Sequence, residues 1–208
     1  MESNQVLLYG YFVISLFRYS MAEAAIFLII GFVIVSVLYY FGIINTDPRI
    51  MGTIVALFLI PGFYAAVTGG PFVPSSRKRH QNMIKLADLK PTDVVYDLGC
   101  GDGRLIFASA KHAKKAIGYE LSIPLFLFGK IRQLFNPKNA RIRYGNIWKQ
   151  DYSDADVIYC YLLPKSMVNF YKIVWPTLKP GTRVVVNAFQ IHDIKPVKEL
   201  DKVYLYIS

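Results

Sequence analysis

The stretch from Val94 to Arg104 constrains this chain more than any other. Val94, Val95 and Tyr96 lead through Asp97 and Leu98 into glycines at 99, 101 and 103, and a helical pattern starts at Arg104. A buried strand that runs through such a loop into a helix is a ligand-binding turn. Glycine permits the tight backbone and lets a ligand approach where a Cβ would clash. The helix N-terminus adds free N–H groups for an anion. A dinucleotide loop wants glycine three residues after its second glycine, and Arg104 stands there instead. The form found here, headed by an acid, suits a zwitterionic amino-acid moiety. Asp97 can face the ammonium while backbone N–H groups, with Gly99 and Gly101 clearing their approach, face the carboxylate.

The rest of this region alternates short apolar strands with helical stretches, the pattern of an α/β fold with a mostly parallel sheet. Strands are predicted at 93–98, 116–119, 141–144, 157–162, 183–188 and 202–207, and helices at 104–111, 124–135 and 164–178. Glu120 ends the second strand about 20 residues after the loop, where such a sheet places the carboxylate that takes the ribose hydroxyls. Asn146 follows the third strand, and its amide suits an adenine edge. Tyr159 and Tyr161 fall near the end of the fourth strand. Aromatics there can flank a methylammonium or sulfonium by cation–π attraction, or simply pack. Tyr161 is the better site candidate. His80, His112 and His192 are scattered and read as surface residues. Cys100 and Cys160 form no CxxC pattern; no metal site or disulfide framework is expected, and a reducing compartment fits best.

The first third of the chain is of another kind. Of 24 basic and 14 acidic residues, only Arg18, Arg49, Glu2, Glu23 and Asp47 precede position 77. The remainder therefore carries 22 basic and 11 acidic residues, a net of +11. Residues 24–44 are apolar apart from Ser36, about the 20 residues a helix needs to cross a bilayer. Residues 50–67 form a second uncharged run, interrupted by Pro61 and Gly62. The polar turn at 45–49 makes the two a helical hairpin, with spans at about 21–42 and 50–68. Residues 6–17 are apolar but short for a span; they lie in the interface or add a third segment. Arg77, Lys78 and Arg79 follow the second run, so positive charge puts the domain from 71 to 208 on the cytoplasmic side of a multi-pass anchor formed by 1–70. The basic excess suits anionic headgroups better than nucleic acid in a chain that leaves a bilayer here, or simply keeps the domain soluble.

The stretch from Asp97 to Arg104 resembles the first motif of class I S-adenosylmethionine-dependent methyltransferases. Three further stretches are more specific: Pro71-Phe72-Val73-Pro74-Ser75, Tyr161-Leu162-Leu163-Pro164, and Lys179-Pro180-Gly181-Thr182-Arg183-Val184-Val185. Together they resemble the small protein-lysine methyltransferases of archaea and mitochondria, the group acting on the ATP synthase c-subunit and the adenine nucleotide translocase. The resemblance covers roughly residue 71 to the C-terminus. It implies a Rossmann-like class I methyltransferase sheet behind the transmembrane hairpin, with S-adenosylmethionine as cofactor. Asp97, Gly99, Gly101, Glu120 and Asn146 would contact that cofactor, and Phe72, Val73, Pro74 and Ser75 would fold over it. The chain departs from the group at Ser75-Ser76, in the apolar run 123–128, and in its short tail after Phe189. Four large apolar residues in a row, Leu125 to Phe128, cannot all face one core; a bilayer or the hairpin would take the others.

The expected reaction is N-methylation of lysine in a membrane or membrane-proximal protein. The acceptor amine must arrive neutral, and no dedicated base is needed if water takes its proton. A lipid or hydrophobic small molecule is the alternative acceptor, and a non-catalytic cofactor-binding scaffold the alternative class. Nucleic acid is disfavoured as substrate, because the Asp/Asn-Pro-Pro-aromatic tetrad is absent and Tyr161 to Pro164 occupies its place.

Overall fold

The structure, a computed structural model, describes residues 75–192 and 194–208 and ten isolated positions between 37 and 56. The expected spans, the short segment 6–17 and Phe72, Val73 and Pro74 lie wholly or largely outside the described residues. Among the described residues no helix is long and apolar enough to cross a membrane. They fall into two units, one before and one after the stretch 57–74.

In the first unit Val37, Tyr39 and Tyr40 are helical and exposed. Gly42 follows them with φ +66°, its N–H donating to the Tyr39 carbonyl at 3.0 Å. Asp47 accepts the Arg49 N–H at 2.8 Å, a side-chain cap on the helical turn that begins there. The polar turn read at 45–49 therefore carries a helix start at its end.

The second unit is a sheet of seven strands: β1 (Val94–Leu98), β2 (Lys115–Glu120), β3 (Ala140–Tyr144), β4 (Val157–Cys160), β5 (Arg183–Asn187), β6 (Lys198–Leu200) and β7 (Val203–Ile207). Their order is β3-β2-β1-β4-β5-β7-β6. The first five run parallel; β7 pairs antiparallel with both β5 and β6. A parallel strand covered on both faces reads as a continuous apolar run, and β4 and β5 do, buried almost throughout.

Four helices flank the sheet: α1 (Arg77–Ala87), α2 (Arg104–Ser109), α3 (Ile123–Gln133) and α4 (Pro164–Asn169). The Ser76 hydroxyl caps α1 by accepting the Arg79 N–H, and Met83, Leu86 and Ala87 bury its inner face against β5 and β7. Arg183 finishes α1. Its guanidinium donates to the Ala87 and Asp88 carbonyls at 2.6 and 2.5 Å and to the Asp93 carboxylate at 2.6 Å. Orphan carbonyls at a helix end are thereby satisfied, and α1, β1 and β5 are tied at one corner.

Two sequence expectations change here. The helix expected over 164–178 is α-helical only to Asn169, then winds as a π-helix over Phe170–Val174 and a tight 3-10 turn over Trp175–Thr177. Pro176 lacks the N–H that an α-helix would use and clashes with the preceding turn. The closing strand starts at Val203 because Asp201 and Lys202 form a left-handed turn, φ +53° and +59°, from the unforeseen β6.

Candidate active site

Parallel strands deliver their C-terminal ends to one edge of the sheet, and ligands of open α/β sheets bind there. That edge gathers Asp97 in β1, the glycine loop, Glu120 at the end of β2, Asn146 after β3, Tyr161 after β4 and Asn187 at the end of β5.

The loop is built for backbone approach. Gly99, Gly101 and Gly103 have φ of +82°, +56° and +80°. A Cβ on Gly99 would meet nothing within 4 Å, so that side of the loop is open. A Cβ on Gly103 would lie 2.7 Å from Ile142 Cδ1 and 2.9 Å from the Phe107 ring. The first glycine thus leaves room for a ligand and the last lets α2 close on the sheet. The Gly99 and Cys100 N–H groups both donate to the Tyr119 carbonyl at 3.0 Å. Gly118 makes room for Cys100, whose Sγ and Cβ lie 2.5 Å from where a Gly118 Cβ would be. The sequence reading missed this interlock; a glycine inside a β-strand pattern was the available signal.

Three acids surround the loop and are treated differently. Asp102 faces Arg104 at 2.7 Å and Arg132 at 2.5 Å; although burial works against it, hydrogen bonds and charge from these arginines hold its carboxyl below the usual range. Glu120 accepts the Gly101 N–H through Oε2 at 2.8 Å, and the Leu121 and Ser122 N–H groups through Oε1 at 2.9 and 2.7 Å. Burial raises its pKa and the three amides oppose the rise. Asp97 is as buried as Glu120 but receives no hydrogen bond or ion pair from the described residues. Burial first, then the charges of Glu120 and Asp102, push its pKa up to about 8.

Asn146 begins a 3-10 turn, and its side-chain oxygen accepts the Trp148 N–H at 2.9 Å. The oxygen is thus engaged locally, and the NH₂ is the part that can face a ligand. Ser75 is partly buried; its hydroxyl accepts from Asn187 Nδ2 at 3.2 Å, while Asn187 Oδ1 accepts from Arg79 at 2.7 Å. Asn187 is buried and was not singled out in the sequence, although an amide ending the run Val184-Val185-Val186 was a usable signal. Tyr161 is partly buried beside Arg79; burial raises its pKa and Arg79 opposes that. Tyr159 is a core residue whose hydroxyl accepts from Ser109. Cys100 and Cys160 are free and buried, and among the described residues no cluster forms a metal site.

An amino-acid moiety fits this edge. Asp97 is a buried acid that no described donor engages, an open glycine loop presents backbone, and a second buried acid stands one strand away. With the strand order above, these features define a class I methyltransferase, an enzyme that uses S-adenosylmethionine. The ANTKMT methyltransferase domain model matches residues 97–198. A protein-lysine N-methyltransferase of Saccharolobus islandicus is 36% identical over 150 residues, covering 66% of this chain and 92% of that protein. The ATP synthase C-subunit lysine N-methyltransferase of Xenopus laevis is 28% identical over 144 residues, spanning 66% of this chain but only 63% of its own length. An RNA methyltransferase from Salinibacter ruber, solved with S-adenosyl-L-homocysteine, superposes with a TM-score of 0.61 at 30% identity, covering 65% of this chain and 93% of that one. The chain belongs to the same family of S-adenosylmethionine-dependent methyltransferases as the Saccharolobus islandicus protein.

Proposed function

We propose that this enzyme N-methylates lysine in a membrane or membrane-proximal protein, held at the bilayer by residues 21–67. The observation that carries the reading is the 36% identity to a protein-lysine N-methyltransferase across 92% of that protein's length. The membrane half rests on the two uncharged runs at 24–44 and 50–67, with the domain from 71 to 208 on the cytoplasmic side. Exposed Val37, Tyr39, Tyr40 and Ile50 in the first unit agree with lipid contact.

S-adenosylmethionine, when bound, supplies an electrophilic methyl group on its sulfonium. The chain's residues do the rest by position. Asp97 holds the ammonium of the amino-acid moiety and the loop at Gly99 and Gly101 faces its carboxylate. Glu120 takes a ribose hydroxyl with the lone pair left on Oε2, and the Asn146 NH₂ reads the adenine edge. Phe72, Val73, Pro74 and Ser75 close over the cofactor, with Ser75 fastened by Asn187. Tyr161 lines the acceptor side. The lysine amine enters neutral where desolvation disfavours its charge, and orientation supplies most of the acceleration.

The test is incubation of the full chain and its own membrane fraction with methyl-labelled cofactor, followed by mapping of the label. Methyllysine in a membrane protein is expected. Label confined to lipid or to soluble proteins overturns the substrate reading, and a full chain that stays in the supernatant after membranes are pelleted overturns the anchor.

A further inference from the structure

α3 carries a second apolar face that the sheet does not use. Phe126 and Gly129 turn toward β3, with Gly129 seated against Ile142, and the Gln133 side chain accepts the Ile142 N–H at 2.8 Å. On the other side Leu127, Phe128, Ile131, Leu134 and Phe135 are exposed, Leu134 to 78% and Phe135 to 83%. At about 100° per residue these five form one stripe that continues past the helix end. Lys130 flanks it on one side and Arg132 on the other. Apolar stripes with basic flanks mark helices that lie in a membrane interface.

The Arg132 flank opens onto a groove. Arg132 lies 5.8 Å from the centre of the stripe's Phe128 ring, and with Arg77 and His80 of α1 and Arg104 of α2 it lines a cavity of about 460 Å³. Asp102 pairs with Arg104 and Arg132, so the groove keeps an excess of positive charge. An apolar face bordered by a cationic groove matches an anionic phospholipid, acyl chains against the stripe and headgroup in the groove.

We infer that α3 lies on the bilayer surface, with Leu127, Phe128, Ile131, Leu134 and Phe135 among the acyl chains and an anionic phospholipid headgroup held by Arg77, His80, Arg104 and Arg132. Charge complementarity selects this occupant. A second copy of the chain would bring the same arginines against each other. The inference rests on the membrane reading above and deepens it. Because α3 begins directly after Glu120 at the end of β2, the contact lays the α3 face of the sheet along the membrane, with the cofactor edge at the helix's N-terminal end.

The experiment uses the full chain reconstituted in phosphatidylcholine vesicles, with and without phosphatidylglycerol. A nitroxide label is placed at Leu134→Cys, or at Lys198→Cys on β6 as an exposed reference at the far edge of the sheet. The native cysteines are buried. With phosphatidylglycerol present, the Leu134 label should gain collisions with oxygen and lose collisions with aqueous nickel chelate, relative to the reference. Neutral vesicles, or the added change Arg77→Glu, should return it most of the way to the reference. Arg77 is an exposed first-turn residue, and an unchanged thermal transition shows the variant folded. A Leu134 label as open to nickel as the reference overturns the inference. So does shielding from both relaxants, which would mean that protein covers the stripe. Burial indifferent to phosphatidylglycerol and to Arg77→Glu overturns the headgroup groove. A chain that fails to float with vesicles instead refutes the anchor, so the two readings fail separately.

Discussion

Replacing Asp97 by Asn should make the cofactor-free enzyme more stable and its cofactor binding weaker. Asp97 has a pKa of 3.8 when free and about 8 in the fold, so folding prefers its protonated form. Below pH 4 both states are protonated and the residue costs nothing. As pH rises from about 4 to 8 the unfolded chain ionises first, and the folded state loses stability across that window. At pH 7 the penalty is about 4 kcal/mol, since each tenfold difference in proton affinity between the two states is worth about 1.36 kcal/mol. An Asn amide lacks the charge but leaves its own polar atoms poorly matched, so a net gain of about 2–3 kcal/mol is expected. For a domain of this size that raises the melting temperature by about 6–12 °C. The proposed ammonium contact demands the ionised carboxylate, and at pH 7 the free site is roughly nine-tenths protonated. Binding should therefore release close to one proton. Calorimetry of cofactor binding in buffers of different ionisation enthalpy reads that number directly. Heat independent of the buffer at pH 7 would refute the argument, as would an Asn variant no more stable than the parent above pH 6.

Glu120→Ala removes the acceptor of three backbone N–H groups and the proposed ribose ligand; cofactor affinity should fall by about 2–3 kcal/mol, and unchanged affinity in calorimetry would count against the assignment. Gly103→Ala forces a side chain to φ +80° and within 2.7 Å of Ile142; denaturant titration should show a loss of about 2–4 kcal/mol. Arg183→Met strands Asp93 and the end of α1, so the same titration should register about 3–5 kcal/mol, with little change in cofactor affinity for whatever fraction remains folded.

The glycine loop and the acid that ends β2 were legible because their signals are local. A run of β-branched residues, three alternating glycines and an acid at the next strand end need no tertiary knowledge. β6 was illegible for the opposite reason. Lys198, Glu199 and Leu200 pair only with β7 at the sheet's edge, largely exposed, and so show no apolar alternation. α1 was hidden by its own chemistry. Its opening Arg77, Lys78 and Arg79 read as the basic flank of a membrane span, yet Arg79 donates to Asn187 and Arg77 lines a groove. The α3 run was correctly too apolar for one core, but only the fold separates Phe126, turned to the sheet, from Leu127 and Phe128, turned away.

The buried acids around the sheet differ in what meets their charge, and Asp97 stands apart. Asp93 is held by Arg183 and accepts the Lys90 N–H. Asp102 has two arginines, and Glu120 has three amides. Each of these carboxylates has donors inside the protein. Asp97 sits in β1 between Tyr96 and Leu98 with none of these donors, at a position where valine would suit a parallel strand better. Its burial beside Glu120 and Asp102 makes a site of concentrated negative potential, opening onto a glycine loop that a neutral ligand would gain little from entering. A ligand carrying one positive centre and one carboxylate relieves the first with Asp97 and meets backbone N–H groups with the second. In the proposed complex, a ligand ammonium beside Asp97 would favour the ionised carboxylate that the empty fold disfavours, which is why the proton release worked out above is the direct test of the contact.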